Sequence, residues 1–258
     1  MWYNISTEMG ARATHYGRKR GKQKNMNIIV FDTETAGCKT QSLLNVGYMI
    51  VDLDLTTFTY RTKVKRDYLM RDIYRNTMWM RNDMFVGDDK LAVMAHNVKH
   101  KGAIERTEKQ VFEQLERDLD RYGVEFGYAY NCQFDTDKFA KTAIAYGLPN
   151  PLEKIKVFDL WGFAYWNICT SKEYQDFCLA YDLKTKSGKF FPTSVEGVTK
   201  YLNQNVDFVE EHTALSDVYW ELRILCECGK RGQNIFEYVS RGGWIRLDGT
   251  VVDFEERG

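Results

Sequence analysis

The chain has no run of eighteen or more apolar residues, so no membrane span is expected. It has no excess of either charge: lysine plus arginine number 36, and aspartate plus glutamate also number 36. A neutral total neither favours nor excludes an anionic partner, because a local patch can still steer one. No signal-peptide apolar region opens the chain, and the six cysteines are scattered. Both features lead to the expectation of reduced thiols in a cytoplasm. Cys226 and Cys228 lack a second pair of cysteine or histidine ligands, which argues against zinc there. His96 and His100 stand four apart, but Asn97 occupies the position where a zinc protease needs glutamate. There is no Gly-x-Ser-x-Gly elbow, no phosphate-binding Gly-x4-Gly-Lys-Ser/Thr loop and no internal repeat.

What the chain does have is length for a full core, at 258 residues. Residues 1–25 are basic and poor in apolar side chains, and read as a flexible extension. Its other reading is a basic arm that touches nucleic acid. The run Ile28-Ile29-Val30-Phe31 predicts a buried strand. Residues 44–53 and 56–64 predict two more, the last rich in β-branched and aromatic side chains. Short connections make these an antiparallel meander. Residues 65–105 show no clean period and read as an insert of short helices and loops. Val111, Leu115, Leu119 and Tyr122 share one helical face, with Thr107 and Gln110 as a capping box.

Further on, residues 124–131 and 156–158 predict strands. Residues 135–146, 161–166, 193–202 and 214–228 predict helices. In the helix from 135, Phe139, Ala143 and Ile144 are expected to face inward. Trp161 and Tyr165, four apart, suit either base stacking or burial, and burial is the usual fate of large aromatics. Strands alternating with helices imply a parallel half of the sheet. The expected fold is thus α/β: a mixed sheet, antiparallel meander then parallel strands, flanked by helices.

Three separated stretches carry acids in a pattern that suits two-metal phosphodiester chemistry. They are Phe31-Asp32-Thr33-Glu34-Thr35, Asn131-Cys132-Gln133-Phe134-Asp135 and His212-Thr213-Ala214-Leu215-Ser216-Asp217. Residues i and i+2 of a strand point to one face, so Asp32 and Glu34 project together. Adjacent carboxylates repel, and a hard divalent cation resolves the conflict. An isolated Asp-x-Glu is most often a pair of exposed strand-end acids; the conjunction with the other two stretches changes that. Asp135 falls at a helix start and Asp217 in the first turns of the last helix. Five residues along a helix place side chains roughly 140° apart. His212 therefore belongs on the entry turn, where it can lean over a site reached by Asp217 and serve as a general base.

These motifs, in this order, resemble those of the DEDDh branch of the DnaQ-like 3′–5′ exonucleases, within the ribonuclease H-like superfamily. Phe31-Asp32-Thr33-Glu34-Thr35-Ala36-Gly37 is similar to the first motif, Asn131 to Asp135 to the second, and His212 to Asp217 to the third. Val157-Phe158-Asp159-Leu160 is similar to the strand before the family's middle helix. Tyr128-Ala129-Tyr130-Asn131 and Glu210-Glu211-His212-Thr213-Ala214-Leu215 resemble small stand-alone exonucleases of bacteriophages, for which the compartment would be the host cytoplasm. The resemblance covers about residues 26–230, with the insert near 65–105 and a C-terminal tail at 231–258. It departs from the family at Ala36, often threonine, and at Asn45, where many members have glutamate.

The resemblance implies a ribonuclease H-like fold and two divalent cations, Mg²⁺ or Mn²⁺. Asp32 would bridge both ions, Glu34 and Asp217 would complete the tighter site, and Asp135 would hold the second. His212 would deprotonate the attacking water. The 3′-terminal nucleotide of a single strand, DNA before RNA, would leave as a 5′-monophosphate. Backbone groups of Thr35 and Ala36 would face that nucleotide, with Asn131 beside it. Phe134 would pack under the site, or else be a core aromatic. A proofreading subunit needing a polymerase partner, with residues 232–258 as its docking tail, is the alternative. An exoribonuclease is another, and a binding module without catalysis is the third; the latter would be expected to lack one of the five site residues.

Overall fold

The computed structural model describes residues 24–36, 42–75, 88–239 and 242–252, with residues 88–91 described in backbone only. The basic stretch 1–23, Gly37, Cys38, residues 76–87 of the expected insert and residues 253–258 lie outside the described residues.

Strand β1 (Asn25–Thr35) is the centre of the molecule. It pairs antiparallel with β2 (Leu43–Asp54), which pairs antiparallel with β3 (Tyr60–Met70). On its other side β1 runs parallel to β5 (Phe126–Ala129), and β5 parallel to β6 (Lys156–Asp159). A short strand β4 (Ile104–Arg106) adds a parallel edge beside β3. The six-stranded order is β4-β3-β2-β1-β5-β6, the expected antiparallel meander followed by parallel strands.

Alternation along β1 assigns the two helical layers. Ile28 and Val30 pack with Leu215, Val218 and Leu222 of helix α8 (Ala214–Lys230). Ile29 and Phe31 face the other way. They meet Val111, Phe112 and Leu115 of α3 (Glu108–Tyr122) and Phe139 of α4 (Cys132–Tyr146). All four β1 side chains are fully buried. Burial of such a side chain stabilises by about 1.5–3 kcal/mol, so β1 is a rigid base for whatever its end carries. The remaining described helices are α1 (Arg71–Arg75), α2 (Asp88–His96), α5 (Leu160–Ala164), α6 (Lys172–Ala180) and α7 (Val195–Asn203). The capping box at Thr107 and Gln110 forms as expected, with both reciprocal bonds present.

Several expectations are corrected. Strand β3 starts at Tyr60 rather than near 56, because Asp54 Oδ1 accepts the N–H groups of Thr56 and Thr57 and holds that stretch in a turn. It then runs to Met70, inside the segment read as an insert. Ile144 is 82% exposed: Phe139 and Ala143 share the inward face of α4, and the next residue turns about 100° away. Tyr165 is buried, in a π-helical segment (Tyr165–Cys169) that continues α5. Beyond residue 230 the chain packs against the same core. Ile235 and Ile245 are buried, Tyr128 Oη donates to the Ile235 carbonyl, and a two-stranded ribbon forms from β7 (Trp244–Ile245) and β8 (Val251–Val252). No described helix is long and apolar enough to cross a membrane.

Candidate active site

Asp32 and Glu34 stand at the C-terminal end of β1, on the face that looks toward α8. Asp32 pairs across the sheet with Gly47 of β2. A Cβ at Gly47 would collide with the backbone of Ala214 and Leu215, so only glycine lets the start of α8 settle onto the strands there. The helix start is also pinned from the sheet. Thr213 supplies no side-chain cap; instead the Ala214 N–H donates to Asn45 Oδ1 at 2.9 Å. Asn45 in turn donates to Asp67 Oδ1 at 2.7 Å and to the Tyr68 carbonyl at 3.0 Å. Asn45 is therefore a tertiary helix cap, and a carboxylate in its place could not donate to Asp67.

This anchoring brings Asp217 to the β1 end. Asp217 is buried, and Glu34, His212 and Asp217 offer ligand atoms within 4.8 Å of one another. Asp135 approaches from the opposite layer, in the first turn of α4, where the helix dipole favours an anion. Its Oδ1 accepts two bonds from Thr33, from the N–H at 2.9 Å and from Oγ1 at 2.6 Å. Thr33 points away from Asp32 along the strand, so one strand end serves both layers. Asn131, in left-handed conformation at φ 60°, turns the chain from β5 into α4, and its N–H donates to Asp159 Oδ1 at 2.9 Å.

His212 sits on the entry turn to α8, at φ 51° and with its side chain 59% exposed. A non-glycine residue at positive φ is strained, and such outliers gather at functional sites. Its Nδ1 lies 3.8 Å from Glu210 Oε2, and it also groups with Glu196 and Glu210 within 4.8 Å.

A buried fifth acid joins the four expected ones. Glu221 is four residues beyond Asp217 on α8, hence on the same helix face, and is 1% exposed. Its Oε1 accepts the Tyr130 N–H at 3.2 Å. The spacing from Asp217 was the signal in the sequence; the search for acids at strand ends and helix starts passes over it.

The charges burden one another. Burial first, then Asp135, Glu221, Asp217 and Glu34, push the Asp32 carboxyl well above its usual range. Burial pushes Asp135 up to about 7, although the two Thr33 bonds pull it down. Burial, then Asp135 and Asp217, hold Glu221 well up. Asp32, Asp135 and Glu221, buried within one cluster, resist ionising together without a cation. Hard carboxylate donors are what Mg²⁺ or Mn²⁺ takes, so the residues present fit those ions.

Asp32, Asn131, His212, Asp217 and Glu221 line a cleft of about 680 Å³. Trp161, Lys184, Lys186 and Trp244 also line it. The Trp161 indole N–H donates to Thr193 Oγ1 at 3.3 Å, so that ring is half-buried and held in place. Thr35 is half-buried at the strand end. Ala36 is buried with Leu44, Leu69 and Met94, and its N–H donates to the Ser42 carbonyl at 3.1 Å. Phe134 is not a core aromatic. It is 41% exposed, with Lys138 Nζ 4.6 Å from its ring centre, because its helix presents Asp135 and Phe139 inward instead. His96 and His100 belong to neither of these ligand groups; their rings lie tilted beside each other, centres 4.7 Å apart.

No protein-family model matches the chain, and no curated protein sequence does. Solved structures do match. The zinc-bound form of E. coli exonuclease I in complex with single-stranded DNA aligns with a TM-score of 0.45 at 12% identity, over 82% of this chain and 42% of that one. E. coli exonuclease I in complex with a dA16 oligonucleotide aligns with a TM-score of 0.40 at 12% identity, over 77% of this chain and 40% of that one. This chain thus spans about two fifths of their length. What the site can do follows from its own residues.

Proposed function

We propose that this chain is a divalent-metal-dependent 3′–5′ exonuclease acting on single-stranded nucleic acid, DNA before RNA, and releasing nucleoside 5′-monophosphates. The observation that carries it is the convergence of Asp32, Glu34, Asp135 and Asp217, from two helical layers, on one strand end beneath His212. Asp32, Glu34 and Asp217 would hold one cation, and Asp32 with Asp135 the second. Two such ions, when bound, supply activation of water and neutralisation of the leaving oxygen. His212 takes the proton of the attacking water; its exposure lets it reach solvent and then the reacting centre. Lys186, and Lys184 beside its ion-pair partner Asp182, bring positive charge to the cleft lining for a phosphate backbone, and Trp161 and Trp244 bring aromatic rings for bases. Thr35 and Asn131 flank the position of the terminal nucleotide.

The test is digestion of 5′-labelled single-stranded DNA and RNA of one sequence, with Mg²⁺, Mn²⁺ or chelator. A ladder that shortens from the 3′ end, needs the metal and is faster on DNA is the expected result. Cleavage that survives chelator, or internal cuts without 3′-end shortening, would overturn the proposal.

A further inference from the structure

We infer that Glu221 is a fifth carboxylate of the cation site, one whose negative charge strengthens divalent-ion binding there. This rests on the metal-dependent reading of the site above. Glu221 is one helical turn beyond Asp217 and lines the same cleft as Asp32 and Asp217. Its two oxygens differ. Oε1 is fixed by the Tyr130 N–H at 3.2 Å, at the end of β5, whereas Oε2 is buried with no hydrogen-bond partner. A buried, unpartnered carboxylate oxygen is among the costlier features a fold can carry. Space-filling at this position needs no acid, since the neighbouring α8 positions Val218, Leu222 and Leu225 are buried apolar side chains. A hard cation in the cluster, or a water on that cation, gives Oε2 the partner it lacks. Glu221 also interacts electrostatically with Asp32, Asp135 and Asp217, so its charge is felt by ligands from both layers. The Tyr130 bond does more than satisfy Oε1. It ties α8 to β5 and so sets the carboxylate between the two halves of the site.

The experiment is Mn²⁺ binding by calorimetry, with thermal unfolding in chelator, for the full chain and for Glu221→Gln. Glutamine keeps the acceptor for Tyr130 and removes the charge. Expected is roughly tenfold weaker Mn²⁺ binding, from withdrawing one charge of the cluster, together with a metal-free midpoint raised by a few degrees. A residue that served packing alone would give the opposite pair: unchanged Mn²⁺ affinity and a lowered metal-free midpoint. Affinity within about twofold of the parent would overturn the inference. If Glu221→Gln does not fold, crystals of the parent chain soaked in Mn²⁺ decide: an ion reached by Glu221 directly or through one ordered water supports it, and an ion without such a link overturns it. No Mn²⁺ binding by the parent chain would instead overturn the metal-dependent reading itself.

Discussion

Asp135 and His212 reach the same strand end from opposite layers, and they are held in opposite ways. Asp135 is 1% exposed and receives two bonds from Thr33. His212 sits on a strained turn with its side chain 59% exposed and an acid, Glu210, 3.8 Å away. A group that holds a cation gains from being fixed before the ion arrives, because none of the binding energy is then lost to ordering it. A group that moves a proton from water needs access and some freedom. The fold provides rigidity through the sheet and freedom through a turn, a few residues apart in space.

The comparison can be broken most severely at the shared point. Asp32→Ala should abolish turnover in single-turnover digestion while the fold survives, since it removes one charge from a crowded cluster. A folded variant that still turns over would remove the basis for the carboxylate side of the comparison. Next comes the exposed side. His212→Ala should cost roughly 10²–10⁴-fold in rate, the range of a lost general base, with Mn²⁺ affinity changed far less. His212→Gly should lose as much activity yet unfold later than His212→Ala, by about 1 kcal/mol, because glycine adopts positive φ without strain. Equal stabilities would show that the turn is not strained.

The fixed side is probed by smaller changes. Gly47→Ala drives a methyl into the start of α8, and should destabilise by about 1–3 kcal/mol and slow catalysis by displacing Asp217. Chemical denaturation and rate should move together. Thr33→Val keeps the backbone N–H to Asp135 but loses the Oγ1 bond, for an expected rate loss of about tenfold.

pH separates the metal-free protein from the loaded one. Burial pushes the Asp135 carboxyl up to about 7 in the fold, above the ordinary aspartate value of about 3.9. The native state therefore binds more protons than the unfolded chain between those values, and stability falls as pH rises through that window. In chelator the midpoint should drop from pH 5 to pH 8, and Mg²⁺ should remove that drop. A flat profile in chelator would contradict the raised Asp135 value.

Much of this was legible in the sequence because it is local. Ile28 to Phe31 announced β1, Thr107 with Gln110 announced the start of α3, and the entry-turn position of His212 followed from helix periodicity. The parts that escaped depend on partners distant in sequence. Asn45 reads as a strand residue until Ala214, 169 positions away, is seen to bond to it. Glu221 drew no reading from its own neighbours in sequence; its burial and its bond from Tyr130, 91 positions away, set it in the site. The second half of β3 has no apolar pattern to show it, because Lys65, Arg66 and Asp67 interrupt it; Asp67 and Arg66 are held there by Asn45 and Asp118 instead. Ile144 is apolar yet exposed, because helical phase turns it out of the face that Phe139 and Ala143 share.

The central claim is that the gathered carboxylates exist to hold divalent cations. It is tested most directly by counting bound Mn²⁺ per chain at equilibrium, with a single-stranded oligonucleotide present, for the parent chain and Asp32→Ala. The account predicts two ions on the parent, and one or none on Asp32→Ala, which lacks the ligand shared by both positions. No ion on the parent, or the same number on both chains, would contradict it.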